Sequence, residues 1–377
     1  MMRPGTGQNL NSTPNNAHGK RVALVTGGAG FIGSNLTQRL LAEGVKVRVL
    51  DNGSRSGVMH NLAWLQNVGP ANQLELIEGD VRDISTLRSA VRDVTEIYHL
   101  AAQVAVTTSV DDPETDFHVN ATGTVNLLEA VRSLPAKPSL LYTSTNKVYG
   151  SLHGVPVQRA GSRYEAVAPD FQGVQESEPL DFHSPYGCSK GAADQYVRDY
   201  ARIYGMPTVV FRMSCIAGPR QFGNEDQGWV AHFLYSTLAG KPITIYGDGL
   251  QVRDVLHVHD LVDAMLLARA NMQTTRGEVY NVGGGMGRTV SVQEMLGAIE
   301  QLTGIAPRLN YATARPGDQP LYISDTAKLE SATGWAAKRS ISDILAAIQD
   351  FWMENRDLMR TRFRVEQPSE ALAVGVA

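Results

Sequence analysis

Arg21-Val-Ala-Leu-Val-Thr26-Gly27-Gly-Ala-Gly30-Phe-Ile-Gly33, then a helical pattern from Ser34 to Ala42, then Val45-Lys-Val-Arg-Val-Leu50-Asp51, is the stretch that decides the fold. Short apolar β-rich runs read as buried strands, and the 3.6-residue period between them reads as a helix. The result is a βαβ unit. Its three glycines have separate tasks. Gly27 lets the chain turn, Gly30 lets backbone approach a pyrophosphate, and Gly33 lets the helix pack close to the strand. The helix N-terminus, with Phe31 and Ile32 in its first turn, offers free amides to an anion. Asp51 ends the second strand beside Asn52, placed to bind adenosine ribose hydroxyls and to repel a 2′-phosphate. This favours NAD over NADP, with Arg55 just beyond as the residue that argues the other way. The expected fold is α/β, a Rossmann-type doubly wound parallel sheet with a smaller α/β substrate-binding lobe.

The alternation continues outward with a strand at Leu74–Glu78, a helix at Ile84–Val91 and a strand at Glu96–Leu100. Asp80 and Val81 close the third strand where an adenine edge can be contacted, though Asp80 reads equally well as a solvated strand end. Leu100, Ala101, Ala102 and Gln103 place small groups at the carboxyl end of the fourth strand, where a parallel sheet holds its ligand. A helix over 112–132 presents Val119, Val125, Leu127 and Leu128 as core and subunit contact. Asn120 within it reads as a pin for loops beside the cofactor. The fifth strand runs from Ser139 through Thr143 and Ser144 to Thr145, again facing the crevice. The segment 151–183 is longer than most connections and aperiodic, and it reads as a substrate-covering loop.

Further on come a helix to about Ile203, a strand at Thr208–Arg212 followed by Met213, expected at the cofactor, and a polar loop carrying Arg220, Gln221 and Gln227, expected at the substrate. A helix at 229–238 and a short strand at 243–246 follow. Residues 251–260 read as the beginning of a helix that continues over 261–270. Val279–Val282 reads as a strand returning to the sheet, and Gly283-Gly-Gly285 as a turn. Helices are expected near 292–302 and 341–351. The organisation expected is a flexible tail over 1–19 and an NAD-binding domain over 20–212 with return segments near 255–282. A mainly substrate-binding lobe over 213–360 and a second tail over 361–377 complete it.

Tyr186-Gly-Cys-Ser-Lys190 carries the chemistry. Four residues apart on a helix, Tyr186 and Lys190 share a face. A tyrosine ionises near pH ~10, and a neighbouring ammonium favours its phenolate. Thr145 across the site can hold a substrate oxygen while its proton leaves. The three can deprotonate a secondary alcohol as a cofactor takes the hydride.

Composition narrows the class. Apolar residues are 43% and charged residues 19%, with a net charge of −4, as in an ordinary globular enzyme. That balance makes no electrostatic case for nucleic acid or an anionic membrane. Two cysteines, Cys188 and Cys215, give neither a disulfide framework nor zinc-ligand spacing, and no metal site is expected. No apolar run reaches the roughly 20 residues needed to span a bilayer. A cytoplasmic location is expected.

Taken in order, these residues resemble the extended short-chain dehydrogenase/reductase family, in its nucleotide-sugar epimerase and dehydratase branch. The resemblance covers residues 20 to 355. It rests on Gly27/Gly30/Gly33, Thr145 before Tyr149-Gly150, Tyr186-x-x-x-Lys190, Arg253-Asp254 before His257, and Arg315-Pro-Gly-Asp318 with Asp325. Longer stretches, among them Ser144-Thr-Asn-Lys-Val-Tyr-Gly150 and Asp181-Phe-His-Ser-Pro-Tyr-Gly-Cys-Ser-Lys190, are similar to the CDP-tyvelose (CDP-paratose) 2-epimerases. The resemblance implies NAD as cofactor and a nucleotide-diphosphate sugar as substrate. Tyr186 would be the base, Lys190 would orient the nicotinamide ribose, Thr145 and Asn146 would meet the sugar, and Arg253 and Arg315 would hold the diphosphate. Asn146 and Lys147 stand where sugar 4,6-dehydratases carry an Asp-Glu pair, so water elimination is not expected. It also implies a homodimer or homotetramer. A 4-epimerase acting on a UDP-hexose stays open as the alternative, as do a net dehydrogenase and a non-catalytic NAD-binding protein.

Overall fold

The computed structural model describes residues 21–363 apart from 316 and 317, so the expected tails fall almost wholly outside the described residues. The chain opens with β1 (Val22–Thr26), α1 (Phe31–Ala42), β2 (Lys46–Asp51), α2 (Val58–Val68), β3 (Leu74–Glu78), α3 (Ile84–Ala90) and β4 (Glu96–His99). Next are α4 (Val106–Asp111), α5 (Pro113–Phe117), a π-turn over His118–Thr122, α6 (Gly123–Arg132) and β5 (Ser139–Thr145). A hairpin of β6 (Val157–Ala160) and β7 (Arg163–Ala166) precedes α7 (Ser184–Tyr204) and β8 (Thr208–Met213). Then follow β9 (Cys215–Ala217), α8 (Trp229–Leu238), β10 (Ile243–Tyr246), β11 (Val252–His257), α9 (Val258–Ala270), α10 (Met272–Thr275) and β12 (Val279–Val282). The chain closes with β13 (Thr289–Ser291), α11 (Val292–Thr303), β14 (Leu309–Ala312), β15 (Leu321–Tyr322), α12 (Ala327–Thr333), α13 (Ile341–Glu354) and α14 (Arg356–Phe363).

Seven strands form one parallel sheet in the order β12-β8-β5-β4-β1-β2-β3. Strand order reverses between β1 and β4, which opens a crevice at their carboxyl ends. Apolar side chains cover both faces, as a parallel sheet requires. One cluster runs from Leu36 and Leu40 of α1 to Leu261 and Met265 of α9. The other joins Leu127 and Leu128 of α6 to Ala193 and Val197 of α7. A third core, from Phe233 to Ile299 and Trp352, sits under the smaller sheets β13-β11-β15 and β10-β14.

Four local expectations are corrected. The helix over 112–132 is interrupted by the π-turn, where Asn120 leaves the helical face to bond residues outside it. Residues 252–257 are a strand, because β11 is fully buried and pairs with β13, β15 and β9; α9 starts only at Val258. The segment 151–183 contains the β6–β7 hairpin, tied down where Tyr164 N donates to Leu250 O at 2.9 Å. Residues 361–363, expected in the tail, belong to α14. α2 follows a glycine- and polar-rich stretch, Asn52–Gly57, and α4 is only six residues long, too short for a period to be read locally. Among the described residues no helix is long and apolar enough to cross a membrane.

Candidate active site

The glycine turn forms as its spacing requires. Gly27 has φ +67°, and a Cβ there would meet Ala101 N at 2.8 Å. A Cβ on Gly33 would stand 2.2 Å from Gly27 O, so α1 can sit this close to the turn only without a side chain at that position. No side chain caps α1, leaving the first-turn amides of Phe31, Ile32 and Gly33 for an anion. Asp51 Oδ2 accepts from Ala29 N at 3.1 Å, which locks the turn to the end of β2. Asn52 donates to Asp80 at 2.9 Å, and Arg82 holds the same carboxylate bidentately. That ion pair draws Asp80 down to about 2. Val81 is buried against α6 beneath it. A narrow pocket of about 120 Å³ is lined by Gly27, Gly30, Phe31, Ile32, Gly33 and Leu100, and by Arg55, Arg220, Gln221 and Gln227 from across the crevice. Arg220 lies flat on Trp64 at 3.2 Å, and Arg55 donates to Gln227. Arg220, Gln221 and Gln227, expected at the substrate, therefore wall the pocket of the glycine turn. The groups present fit a dinucleotide: bare backbone amides, a strand-end carboxylate, and the buried Ser144 Oγ, which has no partner among the described residues.

At the carboxyl end of β4, Gln103 N donates to Asn120 Oδ1 at 2.9 Å, and Asn120 Nδ2 reaches Gln103 O, Asp116 and Ser189. Asn120 is thus the pin its sequence suggested. Ser189 lies between Tyr186 and Lys190 in sequence, so this network fixes α7 against α5. Pro185 opens α7, Gly205 in the left-handed region closes it, and Ser109 Oγ accepts from Tyr186 N at 3.1 Å. Thr145 ends β5, level with Met213 on β8, and its hydroxyl lies beside the Tyr186 phenol. Asn146 is buried next to it, 3.4 Å from Thr145 Oγ1.

Packing around the half-buried ring pushes the Tyr186 phenol up to about 12, while Thr145 and the Arg55 guanidinium pull it down. The expected pull from Lys190 is replaced by that of Arg55. Lys190 Nζ instead donates to Thr143 O at 2.6 Å and lies 4.2 Å over the Tyr142 ring. Burial drives its ammonium down to about 7, against the pull of Asp194 and Asp116. Below it His99, bonded to Thr26 and Thr124, is pushed down to about 3 and stays neutral. The site can therefore take a proton from an alcohol held by Thr145 once a further positive charge stands beside the phenol.

Arg253 lies on β11 of the smaller sheets, and Arg315 in the loop that follows β14. Arg253 Nη2 donates to Asp318 Oδ1 at 2.6 Å, and Arg315 pairs with Asp226 at 3.3 Å while stacking on Tyr246 at 4.0 Å. The sequence reading missed one buried network. Asp194 of α7 holds Arg212 of β8 at 2.9 and 3.0 Å, Arg212 donates to the Tyr149 hydroxyl, and Tyr149 donates to Asn281 on β12. Only the four-residue step from Lys190 to Asp194 hinted at it. Another cavity, about 740 Å³, lies along Glu176, Arg198 and Lys328 at the outer edge of β12 and holds none of the expected site residues.

The sheet order, the glycine turn and the Tyr-Lys helix are those of a known group, and residues 24–348 match GDP-mannose 4,6 dehydratase as a family. The chain belongs to this family. It is of the extended short-chain dehydrogenase/reductase type expected. Within the family the chain is 42% identical over 335 residues to a CDP-paratose 2-epimerase of Salmonella typhi, covering 87% of this chain and 98% of that protein. A UDP-glucose 4-epimerase of Thermus thermophilus solved with NAD superposes with TM-score 0.74 at 33% identity, over 88% of this chain and 99% of that one. A dTDP-glucose 4,6-dehydratase of Streptomyces venezuelae solved with NAD gives 0.77 at 30% identity, over 89% and 98%.

Proposed function

We propose that this chain is an NAD-dependent nucleotide-sugar epimerase that inverts C2 of a CDP-hexose, interconverting CDP-paratose and CDP-tyvelose through a transient ketone. The observation that carries the reading is Thr145, Tyr186 and Lys190 in one crevice with the glycine turn, in a chain 42% identical to a CDP-paratose 2-epimerase along nearly its whole length. Gly27, Gly30, Gly33 and the α1 amides hold the pyrophosphate, Asp51 the adenosine ribose, and Lys190 the nicotinamide ribose. When bound, the dinucleotide supplies the hydride acceptor and a positive ring beside the phenol. Tyr186 Oη takes the hydroxyl proton while Thr145 Oγ1 holds the oxygen. After the sugar turns over, Tyr186 returns that proton as the ketone is reduced from its other face. Arg253 and Arg315 bind the diphosphate, a geometry suited to guanidinium. Asn146 and Lys147 supply no carboxylate for removing water, which speaks against a dehydratase despite the family's description.

A 4-epimerase is the second reading, favoured by 34% identity to a UDP-glucose 4-epimerase of Mycolicibacterium smegmatis. We also propose the division into an NAD-binding domain and a substrate lobe, a cytoplasmic location, and a homodimer or homotetramer paired through α5 to α7. Exposed Phe117, Tyr196 and Ile203 on those helices support the pairing. The test is NMR of the sugar after incubation with CDP-paratose, CDP-glucose or UDP-glucose in D₂O without added cofactor. Inversion at C2 of a CDP-sugar with no deuterium at carbon is expected. Deuterium at the inverted carbon would replace hydride return by enolisation, and turnover of UDP-glucose at C4 would select the second reading.

A further inference from the structure

Lys147 has no part in the scheme above, yet it stands inside the site. It lies two residues beyond Thr145, on the short turn whose start the Thr145 hydroxyl caps by accepting from Lys147 N at 3.2 Å. Its side chain, 27% exposed, runs to the side of the crevice that holds Arg253. Both cations lean on one oxygen. Asp318 Oδ1 is 2.6 Å from Arg253 Nη2 and 3.7 Å from Lys147 Nζ. Arg315 faces the same carboxylate. Two cations thus share one carboxylate in a half-buried cleft, with Arg315 nearby and paired to Asp226. The Lys147 ammonium reaches Asp318 Oδ1 only at 3.7 Å, a long contact that leaves donor capacity for a ligand. Burial and the neighbouring Arg253 both press its ionisation down, as expected for a cation without enough counter-charge. A neutral sugar cannot supply that counter-charge, whereas the glycosyl phosphate of a nucleotide-diphosphate sugar can.

We propose that Lys147 binds the glycosyl-phosphate oxygen of the substrate, completing with Arg253 an anchor for the nucleotide-diphosphate sugar. The inference rests on the nucleotide-diphosphate-sugar reading and deepens it. Lys147 and Arg253 share Asp318 as their counter-ion, so one phosphate placed there can meet both cations. Asp318 acts as the placeholder, neutralising the two cations until the diphosphate takes over.

The experiment is calorimetric titration of CDP into the wild-type holoenzyme and into Lys147→Met, followed by kinetics on CDP-paratose. A charge-assisted contact is expected to make the Met variant bind CDP about 10- to 100-fold more weakly. Its KM should rise by a similar factor, with Lys147→Arg restoring part of both. Bound NAD and thermal midpoint are measured alongside, since a merely structural role would move those and not the CDP affinity of a folded variant. If Lys147→Met is poorly folded, Lys147→Gln is read in its place. Equal CDP affinity in wild type and folded variants overturns the assignment of Lys147 and leaves the functional reading standing. Failure of the wild type to bind CDP or UDP overturns the functional reading and this inference with it.

Discussion

Substituting Asp194 by Ala tests the buried network behind the catalytic helix. Asp194 is 0% and Arg212 2% exposed along their side chains, and the carboxylate takes two guanidinium bonds of 2.9 and 3.0 Å. Removing one partner of such a pair leaves the other charge buried, which costs about 3–5 kcal/mol. Arg212 keeps its bond to the Tyr149 hydroxyl at 3.1 Å, so the lower end of that range is expected. Against a whole-protein stability of about 5–15 kcal/mol the loss is large. Urea unfolding followed by tryptophan fluorescence reads it. Activity should fall as well, because Asp194 is one turn beyond Lys190 and helps keep that ammonium charged. The double variant with Arg212→Met removes both charges and should recover much of the stability. A loss under about 1 kcal/mol for Asp194→Ala, or no recovery in the double variant, would refute the view that this pair ties α7 to the sheet.

Gly33→Ala places a methyl 2.2 Å from Gly27 O, so the turn must move. A loss of about 1–3 kcal/mol is expected, together with purified protein depleted of NAD as read by its extracted nucleotide. For Lys190 the folded value, about 7, lies below the unfolded value of about 10.4. The unfolded chain therefore binds more protons between those values, and the burden of this charge on the fold is full below pH 7 and relieved as pH rises towards 10. Lys190→Met should be inactive. Without cofactor it should also be more stable than wild type at pH 6.5, by an amount that shrinks by pH 9.5; a gap independent of pH would contradict the burial of a charged lysine.

The strands up to β5, the glycine turn and the spacing of Tyr186 and Lys190 could be read locally, because each depends on periodicity or on a backbone shape that few residues permit. The same holds for the Asp51 strand end and for the capped helices α11 and α13. Other features were invisible for physical reasons. β11 is a strand because three neighbours pair with it, and no local pattern records a neighbour. The π-turn at 118–122 exists to aim Asn120 at Gln103 and Ser189, residues 17 and 69 positions away. Which cation acts on Tyr186 was equally a matter of packing. Spacing pointed to Lys190, but folding turned that ammonium to Thr143 O and brought Arg55 across the crevice instead. The order of residues dictates which chemical groups exist and which backbone shapes are allowed. Which charges meet is settled by folding, because the strength of an ion pair depends on distance and on the water excluded around it, and neither is a property of neighbouring residues in the chain.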